Sequence, residues 1–451
     1  MTDYLLLYSG GSMPGTEEEQ KTVWMPATRS SARIHSTQRR HGEGPSGAAG
    51  RCHDHRVRDL RGDVRGISLS RSHDRYDLGV VGLGAFGSAA AYWGTRRGVS
   101  VVGLERFELG HGRGASEDHS RIIRRSYASA DYVRFTRAAF ETWGEVADES
   151  GEQLLTITGG LDLFPSDPID EPDPYVAAMR EEGVQHEVLD AAALVARWPA
   201  WHVSDEVVAI HQDDAGIVAA SRASAVHRRL ALARGADLLP ETRVDRIVPD
   251  GAGFALETAT RTIGCGSLVI AADAWMNEVL APFGVRLPLR ILQEQVTYFD
   301  AADAPSFDPA RFPVWIWHSD PHLYGLPSFG QPGPKVAIHG GGPEVTPETR
   351  TFEPDLGYAA VVDGFIREHL PGAVGPPIEV RTCLYTLTPD QDFVLDLVPG
   401  TSHVSFALGT AHGFKFASAF GRALVDLALD GDSEWRLPRF AADRPALTEP
   451  T

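Results

Sequence analysis

The sequence predicts an α/β fold in which a Rossmann-like domain is interleaved with a β-rich domain of mixed sheet and helices. Residues 76–105 show an apolar strand, a helix-compatible stretch that begins at Ala85 and a second apolar strand, which is the pattern of a βαβ unit. Residues 241–299 contain several strand-like runs separated by turns. A helical pattern returns at residues 412–429, and this return favours interleaved domains over consecutive ones.

The composition is that of an ordinary globular protein with an acidic charge balance. The 451 residues are 43% hydrophobic, which is enough for two or three domains with buried cores. The 61 acidic and 42 basic residues give a formal charge of −19, so nucleic acid and membrane surfaces are poor partners. Cys52, Cys265 and Cys383 are far apart and odd in number. They predict neither a disulfide framework nor a metal site, and they fit a cytoplasmic protein.

The domain limits follow from composition and pattern. Residues 1–75 are rich in Arg, His, Ser and Gly without hydrophobic periodicity, so we expect a disordered extension or the product of an upstream start codon. A targeting role for this segment is the alternative. In residues 76–451 we expect two interleaved domains: one binds a cofactor, over about residues 76–160, 215–285 and 380–440, and one binds substrate, over about residues 160–215 and 285–380.

A glycine-rich turn follows the first strand of the βαβ unit. Gly82, Gly84 and Gly87 form the pattern G-x-G-x-x-G, and Glu105 closes the second strand. Such glycines permit a tight turn, close approach of the backbone to a diphosphate and close helix packing, while the carboxylate accepts hydrogen bonds from a ribose. The pattern predicts an adenine-dinucleotide site, with a structural turn as the alternative. The later run ELGHGRGAS favours FAD over NAD, because a second flexible segment suits a permanently held cofactor.

Five segments in order carry a resemblance to a known family: YDLGVVGLGAFGSAAAYW, SRIIRRSY, YGLPSFGQPGPKVAIH, CLYTLTPDQDFVLD and HGFKFASAFG. From Tyr76 onward the chain resembles the monomeric sarcosine oxidase and N-methyltryptophan oxidase family of D-amino-acid-oxidase-like FAD enzymes. The resemblance implies oxidation of the C–N bond of a secondary amino acid such as sarcosine, with O2 as acceptor. The expected products are an imine, then formaldehyde and a primary amino acid, and hydrogen peroxide. It also implies a monomer.

The resemblance assigns roles to four reactive side chains. The cysteine that matches Cys383 is the site of a thioether bond to the 8α-methyl carbon of the flavin. Arg121 is expected to bind the substrate carboxylate, with a structural ion pair as the alternative, and Lys415 is expected to be a second carboxylate contact. Lys335 is expected to activate oxygen, because a fixed positive charge stabilises superoxide beside the flavin.

The remaining residues implied by the resemblance fall into two groups. The first group is expected to line the substrate pocket: Tyr324, His339 and Tyr385. The second group is expected to contact FAD: Gly413, Phe414 and Arg124, of which Arg124 keeps an open role. Trp315 and Trp317 precede this pocket segment and are expected to shape the pocket. No metal site is predicted, because Pro321 separates His318 from His322.

Other substrates and another class of protein remain open at this point. N-methyltryptophan, a cyclic imino acid or a primary amino acid could replace sarcosine, and an NAD-dependent dehydrogenase or a non-catalytic dinucleotide-binding protein is the alternative of a different class. Four positions depart from the family pattern: Ser116, Glu117, Asp273 and Ala411. Glu117 brings a negative charge toward the flavin, and Asp273 replaces a glycine that permits close backbone approach.

Overall fold

The computed structural model describes residues 75–448. The extension expected at residues 1–75 therefore lies outside the described residues, apart from Arg75, which begins the first strand. Within the described range, no helix is both long enough and apolar enough to cross a membrane.

The described residues form nineteen strands: β1 (Arg75–Val81), β2 (Val101–Leu104), β3 (Arg121–Ile123), β4 (Leu155–Ile157), β5 (Gly160–Phe164), β6 (Glu187–Asp190), β7 (Val208–Gln212), β8 (Gly216–Val218), β9 (Asp237–Leu239), β10 (Arg246–Asp250), β11 (Gly253–Glu257), β12 (Thr262–Ile270), β13 (Arg290–Phe299), β14 (Val314–Trp317), β15 (Leu323–Leu326), β16 (Lys335–Ile338), β17 (Pro377–Leu387), β18 (Val394–Leu397) and β19 (Val404–Leu408). The α-helices are α1 (Ala85–Arg96), α2 (Ala130–Ser150), α3 (Pro172–Glu181), α4 (Ala191–Arg197), α5 (Ala220–Ala233), α6 (Met276–Leu280), α7 (Leu356–His369), α8 (Ala417–Asp430) and α9 (Pro445–Thr448). Short 3-10 helices lie at Asp273–Trp275, Ala281–Phe283, Ala304–Phe307, Pro371–Ala373, Gly413–Phe416 and Pro438–Phe440.

The first sheet is built around the predicted βαβ unit. Its order is β10-β11-β12-β1-β2-β9, with β19 beside β12 and β18 beside β19. Strands β19, β12, β1, β2 and β9 are parallel, and their apolar side chains are buried on both faces, as parallel sheets require. Helix α1 packs against α5 and α8. The α/β class and this βαβ unit are confirmed, and α1 ends at Arg96.

The second sheet carries a polar cavity face and an apolar face. Its order is β17-β13-β16-β15-β14-β5-β7-β6, and only β14 and β5 are parallel. Cross-strand neighbours lie on the same face, so the register places four side chains together on the cavity face: Cys383, Tyr385, Lys335 and Tyr324. Helix α7 packs against the other face.

The register overturns one expectation about the pocket. Alternation along β14 puts Ile316 on the cavity face and turns Trp315 and Trp317 the other way. Both tryptophan rings lie 5.4 Å from the ring of Phe365 in α7. The prediction that Trp315 and Trp317 shape the pocket is wrong, because alternate residues of a strand face opposite sides and the sequence of an apolar strand does not show which side faces the cavity.

A third sheet, β3-β8-β4, is antiparallel and holds the arginine segment beside the 3-10 helix Gly413–Phe416.

Along the chain, stretches that supply the first sheet alternate with stretches that supply the second. Strand β17 pairs with β13 and so belongs to the second sheet. The residue limits given to the two domains stay a prediction.

Candidate active site

A cavity of about 670 Å³ runs from the glycine-rich turn after β1 to the polar face of the second sheet. The turn requires glycine at two places. Gly82 has a φ of +89°, and a Cβ there would lie 2.5 Å from the carbonyl oxygen of Ala271. A Cβ at Gly87 would lie 1.7 Å from the carbonyl oxygen of Gly82, so any other residue would separate α1 from the turn. Gly84 lies between them, and its Cβ would meet Ser116 Oγ at 2.9 Å.

Glu105 lies at the end of β2, beside this turn. Its carboxylate accepts hydrogen bonds from the backbone N–H groups of Leu83 at 2.8 Å and Phe107 at 3.1 Å, and His111 Nε2 lies 3.2 Å away. Burial raises the pKa of Glu105, but His111 and these N–H groups outweigh it and hold the pKa below its usual value. An ionised carboxylate thus lines the cavity at the carboxyl edge of parallel strands, where ribose hydroxyls are bound. The turn and this carboxylate fit FAD.

A buried acid links two cations on one side of the cavity. Lys335 Nζ donates to Asp118 Oδ2 at 2.5 Å and to the carbonyl oxygen of Ser120 at 3.0 Å, and the residue is 1% exposed. Arg121 Nη1 donates to the same Oδ2 at 2.8 Å, and the Tyr298 hydroxyl donates to Oδ1 at 2.5 Å. Burial alone would raise the pKa of Asp118, but Lys335 and Arg121 hold it well below its usual range.

The guanidinium of Arg121 is used by the protein itself. Besides its bond to Asp118, Nη1 donates to a carbonyl oxygen, and Nη2 donates to the carbonyl oxygens of Ala115 at 2.9 Å and Glu117 at 3.2 Å. Both terminal nitrogens therefore face protein acceptors. For Arg121 this geometry favours the structural ion pair that the sequence left open over a contact with substrate.

Arg124 differs in leaving part of its guanidinium unused. Its hydrogen bonds among the described residues all come from Nη1, to Asp162 Oδ1 at 3.1 Å and to the carbonyl oxygen of Ser126. Its Cζ lies 4.4 Å from the centre of the Tyr127 ring. Because Nη1 takes both acceptors and Arg124 lines the cavity, Nη2 remains able to bind an anion there.

Lys415 lies next to Arg124. Its Nζ donates to the Tyr127 hydroxyl at 3.0 Å and to the carbonyl oxygen of His412 at 2.8 Å. Burial, followed by repulsion from Arg124, lowers the pKa of Lys415 well below its usual value. Arg124 and Lys415 thus each keep a donor at the wall of one cavity, an arrangement that can bind a carboxylate.

Cys383 and the predicted pocket residues line the same cavity. Burial raises the pKa of the Cys383 thiol to about 11, although Arg121 opposes the shift. Burial, with Lys415 and Arg124, lowers the pKa of His339 to about 4, so this imidazole is neutral near pH 7. The His339 ring lies 5.3 Å from the ring of Tyr385 and 6.5 Å from the ring of Tyr324.

Gly413 and Phe414 also border the cavity. A Cβ at Gly413 would lie 3.0 Å from the ring of Phe86, and the Phe414 ring lies 5.6 Å from Arg121 Cζ. Just before them, Thr410 and Ala411 have φ values of 34° and 70°. Left-handed backbone at two residues with side chains stores local strain in this turn.

The other departures from the family pattern have local explanations. Ser116 Oγ accepts a hydrogen bond from the Ala85 N–H, at the start of α1. Glu117 accepts two hydrogen bonds from Arg381 at 2.7 and 2.8 Å, and Arg381 also pairs with Glu379. Asp273 adopts a φ of 43°, and burial raises its pKa to about 6.

Sequence reasoning missed three buried polar residues that hold the site: Asp118, Asp162 and His318. A signal existed for each. Asp118 stands three residues before Arg121, and Asp162 and His318 interrupt or end the apolar strand segments GLDLF and VWIWH. Buried polar residues in such segments are paired or functional. Within residues 75–448, no group of three or more His, Cys, Asp or Glu side chains is arranged to hold a metal ion.

Comparisons with known proteins identify the family of the chain. The family described as FAD dependent oxidoreductase matches residues 77–427. Monomeric sarcosine oxidase of Streptomyces avermitilis is 34% identical over 385 residues, covering 82% of this chain and 99% of that protein. N-methyl-L-tryptophan oxidase of Salmonella arizonae is 29% identical over 380 residues, covering 82% of this chain and 99% of that protein.

The structure is also similar to that of NikD, described as an unusual amino acid oxidase essential for nikkomycin biosynthesis. The TM-score is 0.74 at 25% identity, and the match covers 81% of this chain and 97% of that one. The chain therefore belongs to the FAD dependent oxidoreductase family. It is an FAD-dependent oxidoreductase of the sarcosine oxidase type, which removes the NAD-dependent dehydrogenase and the non-catalytic protein from the alternatives.

Proposed function

We propose that the protein oxidises the C–N bond of a secondary amino acid, such as sarcosine, with O2 as electron acceptor and hydrogen peroxide as a product. The observation that carries this proposal is the pair formed by Arg124 and Lys415. These cations share Tyr127 and line the cavity that reaches the glycine-rich turn. A small amino acid presents the carboxylate that such a pair binds, and its amine would then lie inside the cavity.

Binding and orientation are the work of the chain's own residues. Arg124 Nη2 and the remaining N–H of Lys415 donate to the substrate carboxylate, which fixes the direction of the amine. We assign this role to Arg124 in place of Arg121, whose terminal nitrogens are occupied. The neutral imidazole of His339 and the hydroxyls of Tyr324 and Tyr385 offer the amine hydrogen-bond partners without adding charge.

The charge of the cavity supports oxidation of a neutral amine. Arg124 and Lys415 disfavour a further positive charge and so lower the pKa of a bound ammonium group. When bound, FAD accepts two electrons and a hydrogen from the substrate and passes the electrons to O2. Lys335, held buried by Asp118, supplies the fixed positive charge that we assign to the oxygen reaction. Cys383 is assigned as the attachment point of the cofactor.

Substrate size is the finer question within this proposal. N-methyl-L-tryptophan is the second candidate substrate, because one relative is named N-methyl-L-tryptophan oxidase. The side chain that β14 turns toward the cavity is Ile316 and not one of the larger tryptophans. Cyclic imino acids and primary amino acids remain candidates for the same chemistry. The name of the relative from Streptomyces avermitilis supports a monomer, and the few scattered cysteines support a cytoplasmic location.

Purified protein tests both the reaction and the attachment. We expect a yellow protein that releases peroxide with N-methyl amino acids in a coupled assay. We expect the colour to stay with the precipitate in acid, because the flavin is held through Cys383. Replacement Cys383→Ser should leave a folded protein whose flavin is lost to the acid supernatant. The matched control is Cys265→Ala, a buried cysteine outside the cavity. Acid-stable flavin in Cys383→Ser would show that the attachment site is wrong.

A further inference from the structure

A row of four alternating charges leads from the cavity mouth to Arg124. Asp170, whose side chain is 44% exposed, contacts His318 Nδ1 at 3.1 Å. His318 Nε2 lies 3.0 Å from Asp162 Oδ1, and the same oxygen accepts the hydrogen bond from Arg124. His318 is 0% exposed and Asp162 is 1% exposed. Asp170, His318 and Asp162 are outside the set of site residues implied by the family resemblance.

The geometry fixes the protonation of His318. Each of its ring nitrogens faces a carboxylate oxygen, and an ionised carboxylate only accepts hydrogen bonds. Both nitrogens must therefore carry hydrogen, which makes the ring a cation. Burial opposes this charge, but the bonds to Asp162 and Asp170 raise the pKa of His318 above its usual value.

A cationic His318 changes what Arg124 presents to the cavity. With His318 neutral, Asp162 would cancel the charge of Arg124 and repel a carboxylate on its far side. With His318 charged, the single negative charge of Asp162 is shared between two cations. The charge of Arg124 is then less fully cancelled by Asp162 than it would be beside a neutral His318, although Asp170 also pairs with His318. Nη2 of Arg124 makes no hydrogen bond among the described residues.

We propose that Asp162 and His318 are positioning residues for substrate binding, and that the charge of His318 sets how strongly Arg124 binds the substrate carboxylate. This inference rests on the proposed function, because it takes a carboxylate as the ligand of Arg124. It deepens that function by predicting that selectivity for carboxylates depends on a histidine that does not touch the substrate.

Other groups around His318 leave this charge pattern intact. The Phe164 ring stacks on the His318 ring at 4.4 Å, and Tyr175 lies edge-on at 5.3 Å and donates from its hydroxyl to Asp170. The ring of His322 lies 5.1 Å away, and burial, with the neighbouring His339 and His318, lowers the pKa of His322 well below its usual value. His339 is neutral as well. Arg124 is a cation that lowers the pKa of His318, against the effect of the two carboxylates.

Calorimetric titration of the flavin-loaded protein with acetate measures carboxylate binding without turnover. Replacement His318→Gln should weaken acetate binding about tenfold, the effect expected for losing one charge behind the binding arginine. The Michaelis constant of an N-methyl amino acid should rise by the same factor, while its turnover number stays within about twofold of the wild-type value. The Michaelis constant of the corresponding N-methyl amino acid amide should not change, because the amide carries no carboxylate. The matched control is His227→Gln, which removes a buried neutral histidine outside the cavity.

The pH dependence provides a readout that a purely structural role would not move. In the wild-type protein, acetate binding should weaken as the pH rises through the raised pKa of His318, and His318→Gln should lack this step. Lys415 is present in both proteins, so its titration does not account for a step that only the wild type shows. Asp170→Asn, at a partly exposed position, should move the step to lower pH.

Unchanged acetate affinity in His318→Gln, or an equal loss for acid and amide substrates, overturns the inference. A wild-type protein that oxidises none of the amines but whose acetate binding still depends on His318 overturns the proposed function and supports the inference.

Discussion

Two acid-centred clusters flank the cavity, and they differ in what they leave unused. In the Asp118 cluster, a buried carboxylate binds Lys335 and Arg121, and both terminal nitrogens of Arg121 donate hydrogen bonds to protein acceptors. In the Asp162 cluster, the carboxylate binds His318 and Arg124, and Arg124 keeps Nη2 for the cavity. We therefore propose different roles for two arginines three residues apart: Arg121 stabilises the fold and Arg124 binds a ligand.

The largest expected effect is a loss of stability in the Asp118 cluster. Replacement Asp118→Asn leaves the buried Lys335 and the half-buried Arg121 without their shared counterion, so we expect a loss of about 3–5 kcal/mol in the free energy of unfolding. Urea unfolding of the flavin-loaded protein measures it. Asp396→Asn is the matched control, because Asp396 is equally buried but its partner Arg436 has a side chain that is 41% exposed. Equal losses in the two variants would contradict the reading of Asp118 as a structural centre.

A substitution in the Asp162 cluster should change substrate binding more than it changes stability. Replacement Arg124→Gln removes a charged donor to the substrate carboxylate, so we expect the Michaelis constant to rise about 100-fold, or roughly 2–3 kcal/mol. The amide of the same substrate should lose little. Arg121→Gln should lower stability without separating acid from amide. Steady-state assays with both substrates measure the difference, and a stronger acid-to-amide effect in Arg121→Gln would return the carboxylate to Arg121.

Much of the fold could be predicted because its signals are local. The strand, glycine turn and helix of residues 76–105 follow one another in sequence, and each is dictated by its own residues. The polar face of the second sheet is different. Alternation along β17 shows that Cys383 and Tyr385 share a face, but it does not show that Lys335 of another strand joins them. Placing Lys335 beside them requires knowing how β16 and β17 each pair with β13.

The roles of the two arginines could not be read from the sequence for the same physical reason. The segment SRIIRRSY gives their spacing. Whether a guanidinium is free depends on acceptors elsewhere in the chain, such as Asp162, which is 38 residues from Arg124. Trp315 and Trp317 were misplaced because an apolar strand between two packed layers gives no sign of which side faces the cavity.

A third buried acid, Glu294, extends the comparison of the two clusters, because it has no cation as partner among the described residues. Glu294 is 1% exposed and lies directly across from Cys383. Its Oε1 accepts a hydrogen bond from the Gly342 N–H at 3.1 Å, and its Oε2 has no partner among the described residues. Burial raises the pKa of Glu294 from 4.5 to about 7, against the weaker effect of the glycine N–H groups. Pairing with a cation, rather than burial, therefore separates Asp118 and Asp162 from Glu294.

The sign of the resulting pH dependence is opposite to that of a paired carboxylate. The folded protein holds the Glu294 proton more tightly than the unfolded chain does, so stability falls as the pH rises from 4.5 to about 7 and then levels off. Replacement Glu294→Gln removes this titration. We expect the variant to be less stable than the wild type near pH 4.5, where the wild-type carboxyl is neutral, and more stable above pH 7, by about 1–2 kcal/mol. The full shift is not recovered, because the new amide places an unpartnered N–H₂ group where Oε2 lies.

Urea unfolding at pH 5, 6, 7 and 8 measures this difference, with Glu348→Gln, an exposed glutamate, as the control. The control should be parallel to the wild type at every pH. A Glu294→Gln variant that loses stability at pH 8 would mean that the ionised carboxylate is paired in the folded protein after all. The contrast between acids with and without a cation would then no longer explain which side chains around the cavity carry charge.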